Sequence, residues 1–149
     1  MSGPITEDEK GGDASRVEVY RCSDCPAVTR FPRYNNVATL IHSRTGRCGE
    51  WANAFTGIAR ACDFDVRYVL DFTDHVWTEL WSDEEGRWMH ADSCEGALDT
   101  PLVYSTGWGK KLNYVFAFSR EEIADVARRY APNWHDTISR RTLVTEKWL

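Results

Sequence analysis

Residues 45–62, TGRCGEWANAFTGIARAC, predict a turn followed by a helix with a cysteine at its start. Thr45, Gly46 and Arg47 are typical of a turn, and the helix should begin near Cys48 and close at Asp63. The apolar positions after the cysteine have the spacing of one buried helical face. They are Trp51, Phe55, Ile58, Ala59 and Cys62.

Downstream of this helix the sequence predicts an antiparallel sheet. Strands are expected at 66–70, 75–81 and 87–92, and the polar SDEEG turn at 82–86 should join the last two as a hairpin. A fourth strand is expected at 113–118. Ser119 and Glu122 then form a capping-box pattern, which predicts a helix to about residue 130 and a short element near the end.

The upstream part predicts a leader and a small strand–helix unit. Residues 1–15, MSGPITEDEKGGDAS, are polar and Gly-rich and are expected to be disordered. RVEVY at 16–20 predicts a strand, and Asn35-Asn36 predicts a cap for a helix to about residue 44. One main helix against an antiparallel sheet is an α+β fold.

The bulk composition favours a single globular domain and excludes some functions. The chain has 149 residues with a net charge of −5, which argues against nucleic acid as the main partner. No stretch is long and apolar enough to predict a membrane span. Five cysteines cannot all pair, and no export signal follows Met1, so reduced thiols in the cytoplasm or nucleus are expected. Seven tryptophans are expected mainly in the core, but as a set they also suit sugar stacking.

Cys48 is the best candidate nucleophile among these cysteines. A helix N-terminus stabilises a thiolate, and Arg47 adds positive charge there. Cys62 lies at the other end of the same helix without such help. Cys94 follows a strand beside Asp92 and Glu95, which should raise its pKa.

The 75–81 and 87–92 hairpin supplies a candidate base and its orienting partner. Alternation places His75 on the face of Trp77 and Glu79, expected to be the site face, whereas the other face should cover the core. If the turn is 82–85, Asp92 lies directly opposite His75, His90 opposite Trp77 and Trp88 opposite Glu79. Asp92 could then hold the imidazole for a Cys48–His75–Asp92 site. The alternative is a solvated His–Asp pair and a buried thiol. His42 and His135 are expected on the surface.

Five motifs in order resemble the cytoplasmic peptide:N-glycanases, members of the transglutaminase-like superfamily with a papain-like core. They are FPRYNN at 31–36, GRCGEW at 46–51, DHVW at 74–77, HAD at 90–92 and GWGKK at 107–111. The resemblance covers about residues 17–130. It implies that Cys48 is the nucleophile, His75 the base and Asp92 the orienting carboxylate. Residues 16–149 would then form a transglutaminase-like catalytic core, without the upstream lobe of the family.

The same resemblance implies a reaction, contacts and partners. The reaction is cleavage of the amide between N-acetylglucosamine and asparagine in misfolded N-glycoproteins, through a Cys thioester that leaves aspartate. The implied partners include ubiquitin-receptor shuttle proteins and the proteasome. The implied glycan contacts are Arg67, Trp77, Glu79, Trp88 and Glu95.

The resemblance also implies a structural zinc, for which this chain has half the ligands. Cys22 and Cys25 match the second of two Cys-x-x-Cys pairs, and no cysteine precedes them. A tetrahedral structural site needs four ligands. Two other functions remain open: a weakly active or inactive glycoprotein-binding module, and acyl transfer to an amine.

Overall fold

The computed structural model describes residues 1–149, with two antiparallel sheets and one long helix. The strands are β1 (Ala14–Arg21), β2 (Val28–Tyr34), β3 (Val66–Asp71), β4 (His75–Ser82), β5 (Arg87–Asp92), β6 (Ala97–Leu98), β7 (Val115–Phe118) and β8 (Ile123–Asp125). The helices are α1 (Glu7–Gly11), α2 (Val37–Ser43), α3 (Cys48–Ala61), α4 (Ala127–Tyr130) and α5 (Trp134–Ser139), and Val103–Gly107 forms a π-helical turn.

The main sheet has six strands in the order β6-β5-β4-β3-β7-β8, and every neighbouring pair is antiparallel. Strands β1 and β2 form a separate hairpin. Helix α3 packs on β3 and β4 at the centre of the sheet. The predicted α+β fold is therefore confirmed.

The β4–β5 hairpin has the predicted faces but a different register. Trp81 pairs with Trp88 and Glu79 with His90, so Asp92 does not lie directly opposite His75. The turn comprises residues 83–86, and Gly86 takes the left-handed backbone at φ 61° that closes it. The register differs from the prediction by two residues. Because side chains alternate with a period of two, His75 and Asp92 still share a face.

The face of β4 that carries His75 also covers the main core. Trp77 is fully buried with Val69 of β3 and with Tyr104 and Tyr130 from downstream segments. The opposite face is covered by α3, where the Thr56 and Thr78 hydroxyls are 2.7 Å apart. Both faces of β4 are therefore buried, which the alternation of polar and apolar residues did not predict.

Helix α3 begins at Cys48 as predicted, but of the five apolar residues expected to be buried only Ala59 is. Ala52 and Ala59 are buried, whereas Trp51, Ile58 and Cys62 are exposed. The larger apolar side chains line a groove of about 220 Å³ shared with Leu40 of α2. Small residues face the sheet because the helix lies close to β4.

The predicted disordered leader is instead ordered, which corrects the prediction for residues 1–15. Thr6 and Glu9 form a capping box for α1, and Ser2 bridges to Val17 of β1. Glu9 is buried and forms an ion pair with Arg30 of β2 at 2.6 Å. A polar composition did not reveal this contact, because its partner lies 21 residues away.

The predicted helix from Ser119 to about residue 130 is also wrong. The Ser119 hydroxyl does accept the N–H of Glu122 at 3.0 Å, but it closes a turn between β7 and β8. Only Ala127–Tyr130 is helical. The capping pattern therefore marked a turn, because pairing of β8 with the sheet edge satisfies the backbone groups that a helix would have satisfied.

None of the helices is both long and apolar enough to cross a membrane.

Candidate active site

Cys48 is the first residue of α3, and the preceding turn fixes the start of that helix. The Glu50 carboxylate accepts the Arg47 N–H at 2.8 Å, which satisfies a backbone donor at the helix start. A Cβ on Gly46 would lie 2.3 Å from Cβ of Glu50, so this position requires glycine. The turn and the helix start therefore place the thiol where unpaired helical N–H groups stabilise an anion.

The β1–β2 hairpin braces this helix start through charged side chains. Arg33 donates to Glu50 at 2.7 Å and to Glu18 at 3.0 Å. Glu18 also accepts from Arg47 at 2.6 Å. These ion pairs connect the hairpin to both sides of Cys48, and they account for the position of the FPRYNN segment in the site.

The environment of Cys48 favours its thiolate. Hydrogen bonding by the His75 imidazole lowers the pKa of the thiol, and burial partly opposes this effect. The charge of His75 and the N–H groups of Gly49 and Val76 lower the pKa further. Cys48 is partly buried, so it remains accessible to a reagent.

His75 is held at the start of β4 by Asp92, the last residue of β5. His75 Nε2 lies 2.7 Å from Asp92 Oδ2, and both residues are buried. Burial lowers the pKa of His75, but the hydrogen bonds that the ring makes to Asp92 and Cys48 outweigh this effect and raise the pKa to about 9. Because Nε2 contacts the carboxylate, Nδ1 is the nitrogen left for the thiol. The structure thus brings together the three side chains that the sequence singled out.

Asp92 is kept charged by several donors. Burial raises the pKa of Asp92, but hydrogen bonds from His75, Tyr104 and the Glu95 N–H outweigh it, so the net shift is downward. Cys94, two residues on, shows the opposite result. Burial and the neighbouring charges of Asp92 and Glu95 raise the pKa of its thiol to about 11, as expected from the sequence.

The π-helical turn Val103–Gly107 brings two residues to the site that the sequence analysis did not assign. The Tyr104 hydroxyl donates to Asp92 Oδ2 at 2.7 Å. The Trp108 ring packs edge-on against His75 with centroids 4.9 Å apart, and it is 44% exposed. Trp108 lies in the GWGKK motif, so a signal for it existed. Tyr104 had none, because only the fold brings residue 104 to Asp92.

Three of the five implied glycan contacts are buried, which contradicts the prediction for them. Glu79 is fully buried and accepts from Arg67 at 3.0 Å, from Arg129 at 3.1 Å and from the Tyr130 hydroxyl at 2.7 Å. Trp77 stacks on Tyr104 and donates its N–H to Tyr130 at 2.8 Å. These side chains therefore build the core under the site: Trp77 and Glu79 present no surface to a sugar, and Arg67 is only 5% exposed.

The other two implied contacts lie at opposite ends of the hairpin. Trp88 is half-buried, lies under the Arg67 guanidinium at 4.0 Å, and pairs with Trp81. Trp81 follows His75 by six residues on the strand, so Trp88 is roughly 20 Å from the base. Glu95 is exposed, and its N–H donates to Asp92 at 3.1 Å. Of the two, Glu95 is the one near the reacting groups.

A polar cleft of about 1050 Å³ opens beside the first turn of α3. Gly49, Glu50, Tyr68 and Trp88 are among the residues that line it. Burial raises the pKa of the Tyr68 hydroxyl to about 12, so this group stays protonated. The cleft therefore borders the helix turn that carries Cys48.

Cys22 and Cys25 lie in the exposed loop between β1 and β2. Hydrogen bonding by Cys25 lowers the pKa of the Cys22 thiol. No group of three or more His, Cys, Asp or Glu side chains in the chain could hold a metal ion. The residues present therefore do not fit a four-ligand zinc site, since two thiols supply half of it.

Comparison with known families places this fold. A sequence profile of the transglutaminase-like superfamily matches residues 2–93, and that of the Rad4 transglutaminase-like domain matches residues 51–149. The first match spans the cysteine, the histidine and the aspartate. The transglutaminase-like fold predicted from the motifs is therefore confirmed.

Curated relatives of high similarity include several named peptide-N(4)-(N-acetyl-beta-glucosaminyl)asparagine amidase. The chain is 52% identical to that of Arabidopsis thaliana over 149 residues, covering 100% of this chain and 20% of the relative. It is 52% identical to that of Gallus gallus over 95% of this chain and 22% of the relative, and 51% identical to that of Homo sapiens over 97% and 22%. The chain thus spans about a fifth of the curated relatives it matches. The resemblance to peptide:N-glycanases is confirmed.

Solved structures with the same fold come from Rad4–Rad23 complexes. One, bound to a 6-4 photoproduct UV lesion, has a TM-score of 0.52 and 21% identity over 64% of this chain and 26% of that chain. Another, from work on β-hairpin motifs in DNA duplex opening by Rad4/XPC, has a TM-score of 0.53 and 20% identity over 66% and 28%. At this level of identity the likeness concerns the fold.

Proposed function

The chain belongs to the transglutaminase-like superfamily, and from this we propose that it hydrolyses the amide bond between N-acetylglucosamine and asparagine in N-glycoproteins. The observation that carries the proposal is that His75 is hydrogen-bonded to Cys48, at the start of α3, and to Asp92, at the end of β5. The names of the relatives support this substrate class.

In the first step the Cys48 thiolate attacks the side-chain carbonyl carbon of the glycosylated asparagine. A tetrahedral oxyanion forms, and the N–H of Cys48, at the first position of α3, is one donor suited to stabilise it. Protonated His75 then gives its Nδ1 proton to the amide nitrogen. The C–N bond breaks, the glycosylamine leaves, and the side chain remains as a thioester.

In the second step water hydrolyses this thioester. Neutral His75 removes a proton from the water as it attacks the thioester carbonyl. The C–S bond breaks, the Cys48 thiolate is restored, and aspartate replaces asparagine. Asp92 serves both steps because it stabilises the imidazolium and fixes the ring so that Nδ1 faces the thiol.

The biological setting follows from the substrate. We propose misfolded N-glycoproteins as substrates, ubiquitin-receptor shuttle proteins and the proteasome as partners, and the cytoplasm or nucleus as the location. A structural zinc is proposed only with two further ligands from outside this chain, beside Cys22 and Cys25. Glu95 and Trp108, both exposed near the reacting groups, are better placed than Trp77 to contact the substrate.

A deglycosylation assay on a denatured N-glycoprotein tests this function. We expect wild type to release glycan and to leave aspartate that carries one ¹⁸O atom when the reaction runs in H₂¹⁸O. Cys48→Ala should abolish release. Cys62→Ala is the matched control, because Cys62 is exposed at the other end of α3, and it should retain full activity.

Two outcomes would point to the other functions. Glycan binding without release by wild type would favour a glycoprotein-binding module and overturn the hydrolase. Incorporation of an added primary amine into the substrate, with little aspartate formed, would favour acyl transfer from the same thioester.

A further inference from the structure

Behind Asp92 lies a buried chain of polar groups that the proposed mechanism does not use. We propose that Tyr104 and His90 are positioning residues, which hold the Asp92 carboxylate in the one orientation that serves His75. The inference rests on the proposed function for its consequence in catalysis. Its geometry stands independently of the substrate.

Each oxygen of the Asp92 carboxylate has two donors. Oδ2 lies 2.7 Å from His75 Nε2 and accepts the Tyr104 hydroxyl at 2.7 Å. Oδ1 accepts the N–H groups of Cys94 at 2.9 Å and Glu95 at 3.1 Å. The backbone donors hold Oδ1 in place. The position that Oδ2 takes about this anchor is set by His75 and Tyr104. Without the Tyr104 hydroxyl, only His75 would hold Oδ2, so the carboxylate could no longer fix the orientation of the imidazole.

The ring nitrogens of His90 determine the direction in which the hydrogen bonds from His90 through Tyr104 to Asp92 donate. The Thr100 N–H donates to His90 Nδ1 at 3.3 Å, so Nδ1 must be an acceptor. In a neutral imidazole the other nitrogen then carries the proton. His90 Nε2 therefore donates to the Tyr104 oxygen 2.7 Å away. The hydroxyl has a single proton, which is directed to Asp92.

The surroundings of His90 and Tyr104 favour the protonation states that these hydrogen bonds require, a neutral imidazole and a protonated phenol. Burial lowers the pKa of His90 and keeps the ring neutral. The carboxylates of Asp92, Glu79 and Asp99 face His90 and raise its pKa, the charge of His75 lowers it, and burial remains the largest effect. Burial and Asp92 raise the pKa of Tyr104, so the phenol stays a donor at every physiological pH.

The position of Tyr104 is built into the fold. Its side chain is fully buried, its ring stacks on Trp77 at 4.4 Å, and its edge packs against His75 at 5.0 Å. It lies in the π-helical turn Val103–Gly107, and such turns are frequent at functional sites. The ring is therefore fixed by packing, and the hydroxyl can be removed without moving it.

The test measures the ionisation of Cys48 directly. Iodoacetamide labels Cys48 over a pH series, and the tryptic peptide 48–60, which has Cys48 as its only cysteine, reports the rate. In Tyr104→Phe the carboxylate can rotate, so the imidazolium loses its partner and the thiolate is less stabilised. We expect the midpoint of the labelling profile to rise by about one pH unit. For glycan release we expect kcat to fall about tenfold with KM unchanged.

Tyr130→Phe is the matched control. Tyr130 is another buried tyrosine of the same core, and its hydroxyl contacts Glu79 and Trp77 rather than Asp92. It should cost similar stability and leave the labelling midpoint of Cys48 unchanged. A structural defect alone would shift both variants equally, and this result would overturn the proposal.

Substitutions at His90 test the second member of the chain. His90→Gln keeps an N–H that can donate to Tyr104, whereas His90→Leu cannot. We expect the Gln variant to keep the wild-type midpoint and the Leu variant to show the upward shift of Tyr104→Phe. Equal midpoints in the Gln and Leu variants would overturn the role of His90, and this comparison decides the matter if Tyr104→Phe does not fold.

Failure of this inference differs from failure of the proposed function. Labelling of Cys48 needs no glycan, so a shifted midpoint in a chain without glycanase activity supports the positioning role and overturns the substrate. An unshifted midpoint in an active enzyme overturns the positioning role and supports the substrate.

Discussion

Replacement of Trp77 by alanine tests whether this residue stabilises the core or contacts the glycan. The Trp77 side chain is fully buried, its ring contacts Tyr104 at 4.4 Å and Tyr130 at 4.6 Å, and its N–H donates at 2.8 Å. Truncation of a buried tryptophan costs about 3–5 kcal/mol through lost burial and the cavity left behind. For a domain with a total stability of about 5–15 kcal/mol, this is a large fraction.

The assay for Trp77→Ala is urea unfolding followed by circular dichroism, together with thermal melting. With a urea slope of about 1–3 kcal/mol/M, we expect the midpoint to fall by roughly 2 M. The melting temperature should fall by on the order of 10 °C. Trp77→Phe keeps most of the stacking but loses the donor to Tyr130, and about 1–2 kcal/mol is expected.

Trp88→Ala is the control for the loss of a tryptophan as such. Trp88 is half-buried and contributes mainly its stacking under Arg67, so about 1 kcal/mol is expected. A Trp77→Ala chain with near wild-type unfolding and a raised KM for glycopeptide would refute the reasoning. That result would mean that the ring is exposed to substrate in solution.

Two further predictions concern the helix start and the N-terminal segment. Gly46→Ala should slow labelling of Cys48 and lower the melting temperature by several degrees, because the new Cβ would lie 2.3 Å from Cβ of Glu50. Gly11→Ala is the control, since open space surrounds its Cβ, and it should change neither the labelling rate nor the melting temperature. Equal effects of the two substitutions would contradict this explanation. Glu9→Gln should destabilise the chain at pH 7, because the hydrogen bond from Arg30 lowers the pKa of Glu9 to about 2. Since the folded pKa is below the ordinary value of 4.5, this stability is present above pH 4.5 and is lost as the pH falls toward 2. A difference in unfolding free energy that persisted at low pH would refute it.

The placement of Cys48, His75 and Asp92 could be predicted because its determinants are local. The turn at residues 45–47 and the apolar spacing after Cys48 place a cysteine at a helix start from neighbouring residues alone. Strand alternation placed His75 and Asp92 on one face, and it did so even though the predicted register was wrong by two residues. An error of one residue would have separated them.

The surroundings of these three residues could not be predicted in the same way. Trp77 and Glu79 read as a polar and aromatic face, but segments between residues 104 and 130 cover that face and bury both side chains. The exposed apolar side of α3 and the ordered segment around Glu9 depend likewise on contacts with distant residues.

The sequence by itself therefore determined the start of α3 at Cys48 and the shared face of His75 and Asp92, because helix starts and strand parity depend on hydrogen bonds and periodicity over a few residues. Its ordered motifs indicated the superfamily. Only the tertiary structure decided that the Trp77 face of the hairpin is core, and it alone brought Tyr104 between His90 and Asp92. Tyr104 reaches Asp92 from 12 residues away, and Tyr130 reaches Glu79 from 51. Burial and hydrogen bonding at such separations are properties of the packed chain, and no local pattern encodes them.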